Sequence, residues 1–508
     1  MSTPISSPIN TLEFFLPDEA ATQRFGEDFA LALMKGDLVT LSGDLGAGKS
    51  SLARAIIRAI ADDEDFEVPS PTFTLVQSYE ALRIPVAHAD LYRISHGEEL
   101  DELGLVEFLE DGVVLSEWPE QAEGFLPEPA FAVQLTHEGV GRRIAIAGFE
   151  AAIARLERSL EIRSFLETNN RKGAKRRYLQ GDASPRKYEI VTSAYGVEVL
   201  MNAPAMPYDP PLRNGKSYRQ FAHIAENIQA FVAIDGLLAA HGLRVPEMRA
   251  MDIDAGFLIL EDLGTEGIRM PSGEPVAERY EAAGRFLAHL HGVQWPDHAP
   301  VPGHLDHIIA SFDRDAMIME VSLVGQWYAP RIMGRKLTDT EIAAYEAAWD
   351  VVLNDIAECE KSLLLRDYHS PNLFWFEDAE GADKIGTIDF QDAMIGPAAY
   401  DVASLALDAR VTITPNLEKA VVDAYCDERH KLGHVFDEEN FRKAYAAMGA
   451  QRNAKLLGLF VRLDERDGKP HYLAHLPRIH DYLSRVLQHP VMTPVARWFD
   501  DLALLEKQ

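Results

Sequence analysis

Residues 12–35 read as a strand, the turn LPDEAA and an amphipathic helix ending near Lys35 and Gly36, after which DLVTLSG gives a short buried strand. A glycine-rich loop follows at once, and KSSLARAIIRAI (Lys49 to Ile60) then repeats apolar residues at helical spacing. Strand, loop, helix is the local order that a phosphate-binding loop requires. IPVAHADLYRI, the apolar run Val113 to Leu115, Phe131 to Leu135 and Arg143 to Ala147 supply further strands, so an α/β module of about 150 residues is expected. The pattern turns helical from Ala151 to Thr168, restarts as a hairpin-like YLQGDASPRKYEIV followed by VEVLMNAP, and becomes dominantly helical beyond Gly264. Helices are predicted over Ala277 to Leu290, Thr340 to Glu360, Leu417 to Leu432 and Phe441 to Arg462. A small β-rich lobe is thus expected to precede a larger helical lobe.

Composition sharpens this picture in three respects. With 508 residues the chain exceeds one ordinary hydrophobic core, and with 47% apolar and 25% charged residues it has the profile of a packed globular protein. Acidic residues outnumber basic ones 80 to 49, and a net charge of −31 repels nucleic-acid phosphates and anionic lipid, so no direct nucleic-acid binding and no membrane association are expected. The one dense basic run, Arg171 to Arg177 (RKGAKRR), reads as a solvated linker, with a phosphate contact as the alternative. Cys359 and Cys426 lack metal-ligand or redox spacing, no stretch approaches the roughly 20 apolar residues that span a bilayer, and the N-terminus has no leader pattern. A reducing, cytoplasmic location is expected.

The first chemical constellation is Gly43-Asp44-Leu45-Gly46-Ala47-Gly48-Lys49-Ser50, an ungapped G-x-x-x-x-G-K-[ST]. Gly43, Gly46 and Gly48 let backbone amides turn toward a phosphate, Lys49 reaches the terminal phosphates and Ser50 offers a hydroxyl to magnesium. Such a loop needs a second carboxylate on the magnesium side and a group that senses the γ-phosphate. SPTFTL from Ser70 has the look of a switch loop, while HADLYR and LSEWP place carboxylates at or beyond strand ends.

GDLGAGKS, SPTFTLV, HADLYR and SEWPE, in that order, resemble the TsaE family of bacterial tRNA-modification ATPases over about residues 12–147. The resemblance implies an ATPase supporting threonylcarbamoyladenosine formation in tRNA together with TsaB and TsaD proteins. It implies phosphate binding by Lys49, magnesium binding by Ser50 and Glu117, a hydrolysis and switch role for Asp90 and Thr72, and a position near the nucleotide for Glu19. Ser50 stands where that family usually has threonine, which preserves the hydroxyl. Trp118 and Tyr92 read equally as core aromatics or ligand contacts. A nucleotide-dependent switch without sustained hydrolysis is the alternative for this half.

The second constellation is LRDYHSPN, in which Asp367 and Asn372 form D-x-x-x-x-N, followed seventeen residues after Asn372 by Asp389 of the strand-like KIGTIDF. Phosphoryl transfer to a hydroxyl needs a carboxylate to orient it and accept its proton, and oxygen ligands to hold magnesium against the phosphates. Asp367 suits the first role, Asn372 and Asp389 the second. His369 is tempting as a base, yet packing beside the loop is the commoner role for such a histidine.

GDASPRKYEI, LILEDLG, LRDYHSPNLFW, IDFQDAMIGPAAYDVASLALD and QRNAKLLGLFVRLDERDGKPHYL resemble the aminoglycoside phosphotransferase-like kinases over most of residues 160–490, and among them the AmgK-type anomeric kinases of cell-wall recycling. The resemblance implies ATP-dependent 1-phosphorylation of N-acetylmuramate or N-acetylglucosamine. Two departures stand out. Leu365 replaces the histidine usual two positions before the catalytic aspartate, and VEVLMNAP lacks a phosphate-pairing lysine, so Arg186 or Lys187 of the GDASPRK loop is assigned to the nucleotide. Arg452, Lys455 and Arg462 could meet an anionic lactyl group, although solvated positions are commoner for helical cations.

The expected architecture is an α/β P-loop domain followed by an α+β bilobal, protein-kinase-like domain of aminoglycoside phosphotransferase type. Its divisions are 1–155 for the TsaE-like domain, 156–262 for the small lobe and 263–508 for the helical lobe with the catalytic loop, with ATP and Mg2+ as cofactors and an amino sugar as second substrate. Two alternatives remain for the second half: another acceptor such as an aminoglycoside or choline, or a regulatory module that binds nucleotide without transfer.

Overall fold

The computed structural model describes residues 10–94, 100, 102–122, 124–180, 186–206, 210, 215, 217–433 and 435–505. The leading residues 1–9 and the stretch 181–185 of the GDASPRK loop lie outside the described residues. The chain forms two compact units, Met1–Asn202 with Arg249–Glu261, and Ala203–Met248 with Asp262–Gln508.

The first unit opens with β1 (Asn10–Leu16), α1 (Glu19–Ala32), β2 (Leu38–Ser42), α2 (Lys49–Ala61), β3 (Val76–Tyr79), β4 (Val86–Asp90), β5 (Val113–Glu117), β6 (Phe131–Glu138) and β7 (Gly141–Gly148). These strands form one sheet in the order β1-β7-β6-β2-β5-β4-β3. The central pairs β2/β5, β2/β6 and β4/β5 are parallel, and their short uniform runs of buried residues are what a strand covered on both faces demands. Phe29 of α1 meets Phe131 of β6 edge-on at 4.9 Å, and Leu52, Ile56 and Ile57 of α2 are fully buried in the same core. Because β2 lies inside the sheet, the loop that follows it emerges at the carboxyl end of the parallel strands, where α/β sheets bind ligands.

Helix α3 (Glu150–Thr168) continues unbroken past residue 155, the boundary expected from sequence. After it come β8 (Lys175–Leu179), β9 (Lys187–Ser193), β10 (Gly196–Asn202), β11 (Met248–Asp252) and β12 (Phe257–Glu261), a second sheet in the order β11-β12-β10-β9-β8. Both sheets belong to the first unit, and α3 serves both. Its Ser159 hydroxyl donates to the Asp28 carbonyl of α1 at 2.7 Å, and its Arg158 guanidinium donates to Asn202 Oδ1 and the Ala255 carbonyl.

Two cations of the basic run expected as a solvated linker, Arg171 and Arg176, are buried, while Lys172, Lys175 and Arg177 are exposed. Arg171 binds Glu198 through Nε (3.1 Å) and Nη2 (2.8 Å), and Arg176 binds Glu189 through Nε (2.7 Å) and Nη2 (2.9 Å). Both guanidiniums are buried against acidic residues of neighbouring strands, a use of arginine that a count of local charges cannot reveal.

The second unit is mainly helical. Its elements include α4 (Ala277–His291), α5 (Arg314–Val321), β13 (Lys361–Leu364), β14 (Leu373–Trp375), β15 (Ile385–Thr387), β16 (Met394–Pro397), α6 (Ala399–Ala406), α7 (Pro415–Lys431) and α8 (Glu438–Glu465). Residues 203–248, expected within the small lobe, carry the helices Tyr218–Ala222 and Gln229–Ala240 and fall in this unit, apart from the strands that precede and follow them. Cys359 and Cys426 are free and buried. No helix among the described residues is long and apolar enough to cross a membrane.

Candidate active sites

In the first unit, the chain leaves β2 at Gly43 with φ +138°, where a Cβ would stand 2.3 Å from the Leu135 carbonyl oxygen. Only glycine fits such a position. Gly46 and Gly48 also take positive φ, and Arg142 Nε fixes the turn by donating to the Ala47 carbonyl at 2.8 Å. Lys49, the first residue of α2, folds back over the loop and donates to the carbonyls of Gly43 (2.6 Å) and Asp44 (3.0 Å). Its ammonium lies 3.5 Å from the Trp118 ring centroid. Trp118 holds that place from a left-handed backbone at φ +59°, a strained choice for a tryptophan. Burial lowers the Lys49 pKa, against the opposing pull of Glu117, Glu120, Asp90 and Asp44.

The expected partners of the loop converge. Ser50 Oγ donates to Glu117 Oε2 at 2.8 Å, and Glu117 Oε1 lies 2.8 Å from His88 Nε2. Thr72 Oγ1 donates to Asp90 Oδ2 at 3.1 Å, and Asp90 Oδ1 accepts the Tyr92 amide. The parallel register of β4 and β5 sets Asp90 beside Glu117, so two strand ends deliver the two carboxylates together. Tyr92 and Trp118 rings stand 5.0 Å apart. Glu19 is exposed in the first turn of α1 and hydrogen-bonds to no P-loop residue among the described residues. The roles of His88, which fixes Glu117, and of Arg142 were not visible in the sequence, since each acts through a strand distant along the chain.

In the second unit, β13 leads into Arg366 at φ +65°, then Asp367, then a short turn Ser370–Asn372. Strands β14 and β15 pair antiparallel, Leu373 opposite Thr387, and the Ile388 amide donates to the Asn372 carbonyl at 3.1 Å. The hairpin thereby turns the seventeen-residue interval into adjacency: Asn372 Nδ2 lies 3.4 Å from Asp389 Oδ2 and donates to the Asp367 carbonyl at 2.9 Å. Asp389 takes φ +63°, and Gln391 Nε2 donates to its Oδ1 at 2.8 Å. Asp367, Asn372 and Asp389 all remain partly exposed, as groups that meet a substrate must.

Buried charge holds this loop. Asp401 at the start of α6 accepts the backbone amides of Leu365 (2.6 Å) and Arg366 (2.9 Å). Arg366 reaches the Ala222 carbonyl and Glu320 Oε1, and Glu320 also accepts from Lys455 Nζ (2.6 Å) and Gln451 Nε2 (2.9 Å). Asp408 accepts the Ser370 amide and the Tyr280 hydroxyl. Asp401, Asp408 and Glu320 were absent from the sequence-based site; the first two lay in the quoted stretch YDVASLALD without a role.

Burial alone would raise the Asp367 carboxyl, but nearby positive charge, that of Arg452 foremost, holds it below the ordinary carboxylate range. Burial lowers the His369 imidazole despite the opposing pull of Asp408 and Asp367. Among the described residues His369 Nδ1 has no hydrogen-bond partner. Burial pushes Asp401 up to about 7 in spite of its two amide bonds.

Among the described residues no three His, Cys, Asp or Glu side chains converge on a metal-ligand geometry. Ser50 with Glu117, and Asn372 with Asp389, each offer two oxygens, a set suited to magnesium, which takes its remaining ligands from phosphate and water. Arg186 precedes β9 and the exposed Lys187 begins it, both in the first unit. Arg452 and Lys455 do not occupy the solvated positions expected for helical cations: Arg452 is 4% exposed and Lys455 is tied to Glu320, while Arg462 is partly exposed.

Two family models match this chain, the threonylcarbamoyl adenosine biosynthesis protein TsaE at residues 16–144 and the phosphotransferase enzyme family at 175–435. An N-acetylmuramate/N-acetylglucosamine kinase of Caulobacter vibrioides is 32% identical over 356 residues, covering 68% of this chain and 96% of its own. A kinase of the same description from Pseudomonas putida is 32% identical over 313 residues, 60% of this chain and 81% of its own. The tRNA threonylcarbamoyladenosine biosynthesis protein TsaE of Haemophilus influenzae is 36% identical over 144 residues, 27% of this chain and 90% of its own. The chain is therefore a phosphotransferase enzyme: it belongs to the phosphotransferase enzyme family over residues 175–435 and carries a TsaE-family domain at residues 16–144.

Proposed function

We propose that the chain is a cytoplasmic bifunctional protein whose kinase half transfers the γ-phosphoryl group of ATP to the anomeric hydroxyl of N-acetylmuramate or N-acetylglucosamine. The observation that carries this reading is that Asn372 is hydrogen-bonded to the Asp367 carbonyl and lies beside the Asp389 carboxylate, with all three residues partly exposed. Asp367 Oδ accepts the proton of the attacking hydroxyl while the oxygen–phosphorus bond forms and the bond between the γ-phosphorus and the bridging oxygen of ADP breaks. Asn372 and Asp389 would hold magnesium, which when bound supplies charge neutralisation on the phosphates. Asp401 and Glu320 keep the loop in place from behind. The amino-sugar acceptor, and with it a place in cell-wall recycling, is supported by the descriptions of the two kinases that resemble this half. A coupled assay of ADP release with each sugar, an aminoglycoside and choline tests the acceptor: turnover confined to the sugars supports the reading, and turnover confined to the aminoglycoside or choline replaces it.

For the first half we propose an ATPase that supports threonylcarbamoyladenosine formation in tRNA with TsaB and TsaD proteins, using Lys49 on phosphate, Ser50 and Glu117 toward magnesium, and Thr72 with Asp90 as the switch. Its support is the linked geometry of Ser50, Glu117, Thr72 and Asp90 beside the P-loop. Co-purification of TsaB and TsaD with the wild-type chain and with Lys49→Ala, in the presence of ATP, tests it; recovery of neither partner by the wild type overturns it.

A further inference from the structure

Helix α8 sets Arg452, Lys455 and Arg462 along one side, at intervals of three and seven residues. Their circumstances differ. Lys455 donates to Glu320 Oε1, which Arg366 also reaches, so its charge is already engaged. The Arg452 side chain donates no hydrogen bond to any described residue, although it is 4% exposed, and its Nε is buried without a partner. A guanidinium carries five donors in a planar fork; here the Nε donor is buried without an acceptor among the described residues, which is unfavourable unless something else supplies one, and no described residue accepts from the two terminal nitrogens.

The position of Arg452 says what that something is near. Its neighbours in the helix, Gln451 and Lys455, both bind Glu320, which holds Arg366, the residue before Asp367. Its guanidinium carbon lies 5.9 Å from the Tyr400 ring centroid, one residue before the Asp401 that anchors the catalytic loop. Arg452 is also the foremost positive charge acting on the Asp367 carboxyl, which puts it on the same side of the loop as the group assigned to the acceptor hydroxyl.

We infer that Arg452 is a specificity residue that receives the carboxylate which N-acetylmuramate carries and N-acetylglucosamine lacks. The inference rests on the amino-sugar reading proposed above. An arginine fork and a carboxylate match in shape and charge, and a site that leaves such donors open discriminates against the analogue that cannot fill them. The rival role is purely local: Arg452 would keep Asp367 ionised for any acceptor and be a positioning residue only.

The test is kcat/KM of the full-length chain for both sugars in wild type, Arg452→Lys and Arg452→Gln, with calorimetric binding of each sugar measured alongside. Arg452→Gln is expected to lower kcat/KM for N-acetylmuramate about tenfold to a hundredfold more than for N-acetylglucosamine, chiefly through KM, with partial recovery in Arg452→Lys. Equal losses on both sugars, carried by kcat and accompanied by an upward shift of the acidic limb of the pH profile, overturn the inference. If the wild type turns over neither sugar, the amino-sugar kinase reading falls, and calorimetry still decides the inference: tighter binding of N-acetylmuramate that depends on Arg452 supports it, and equal binding of the two sugars overturns it.

Discussion

Arg176 Nη1 donates to Asp28 Oδ1 at 2.6 Å, joining residues 148 positions apart in the chain. Arg163 of α3 also binds Asp28, through Nε (3.1 Å) and Nη2 (2.9 Å), so one buried carboxylate of α1 serves two guanidiniums. Through it α1, α3 and strand β8 of the five-stranded sheet share a single set of charges. Asp28→Asn would leave two buried cations short of an anion, and breaking a buried pair from one side costs about 3–5 kcal/mol. Urea unfolding of the variant should show a correspondingly lower midpoint, whereas an unchanged midpoint would mean that the network contributes nothing net.

Asp235, in the helix Gln229–Ala240, is 2% exposed, and its Oδ2 has no partner among the described residues. Burial pushes its carboxyl up to about 7. The unfolded group titrates near 4, so between these values the folded chain binds the extra proton, and stability falls as pH rises from about 4 through 7. Asp235→Asn removes that titration and should stabilise the protein at pH 8 by about 1–4 kcal/mol while changing little at pH 4. Thermal unfolding at the two pH values measures this.

Asp401 touches no substrate in this account and acts through the amides of Leu365 and Arg366. Asp401→Asn keeps the shape but loses one acceptor, releasing the loop that aims Asp367. A small misplacement of a catalytic group costs on the order of a hundredfold, so kcat should fall about tenfold to a hundredfold with KM little altered. A fall in KM-linked terms alone would place Asp401 in substrate binding instead.

Lys49 reports on the P-loop through Trp118. Its ammonium rests on the Trp118 ring and on the carbonyls of Gly43 and Asp44, and a bound polyphosphate would draw it away from all three. Adding magnesium-ATP should change the tryptophan emission of the wild type, and the change should vanish in both Trp118→Phe and Lys49→Ala. A persistent change in Trp118→Phe would locate the signal elsewhere.

The parts of the two sites that lie close together in the chain were legible in the sequence. A contiguous loop such as GDLGAGKS dictates its own geometry, and the Asp367 to Asn372 interval is short enough to be read directly. The link from Asn372 to Asp389 runs through one hairpin, of which only the strand-like KIGTIDF was legible. What escaped was everything settled by distant partners. Arg171 and Arg176 looked like surface charge because Glu198 and Glu189 face them only once the sheet has formed. Glu320 sits 46 residues before Arg366 and 135 before Lys455, so nothing local marks it as the anion of the catalytic loop. The break expected near 155 fell within α3 because that helix serves two sheets at once, a role its own hydrophobic pattern does not encode.

The role of Asp367 in sugar phosphorylation is decided by phosphorus NMR of the full-length chain incubated with magnesium-ATP and each amino sugar, for wild type and Asp367→Ala. A sugar 1-phosphate resonance is expected with wild type and none with Asp367→Ala, while the variant keeps the wild-type unfolding midpoint. A 1-phosphate formed equally by both proteins would contradict the assignment of Asp367 as the base, and a phosphate placed on any other hydroxyl would contradict the proposed anomeric transfer.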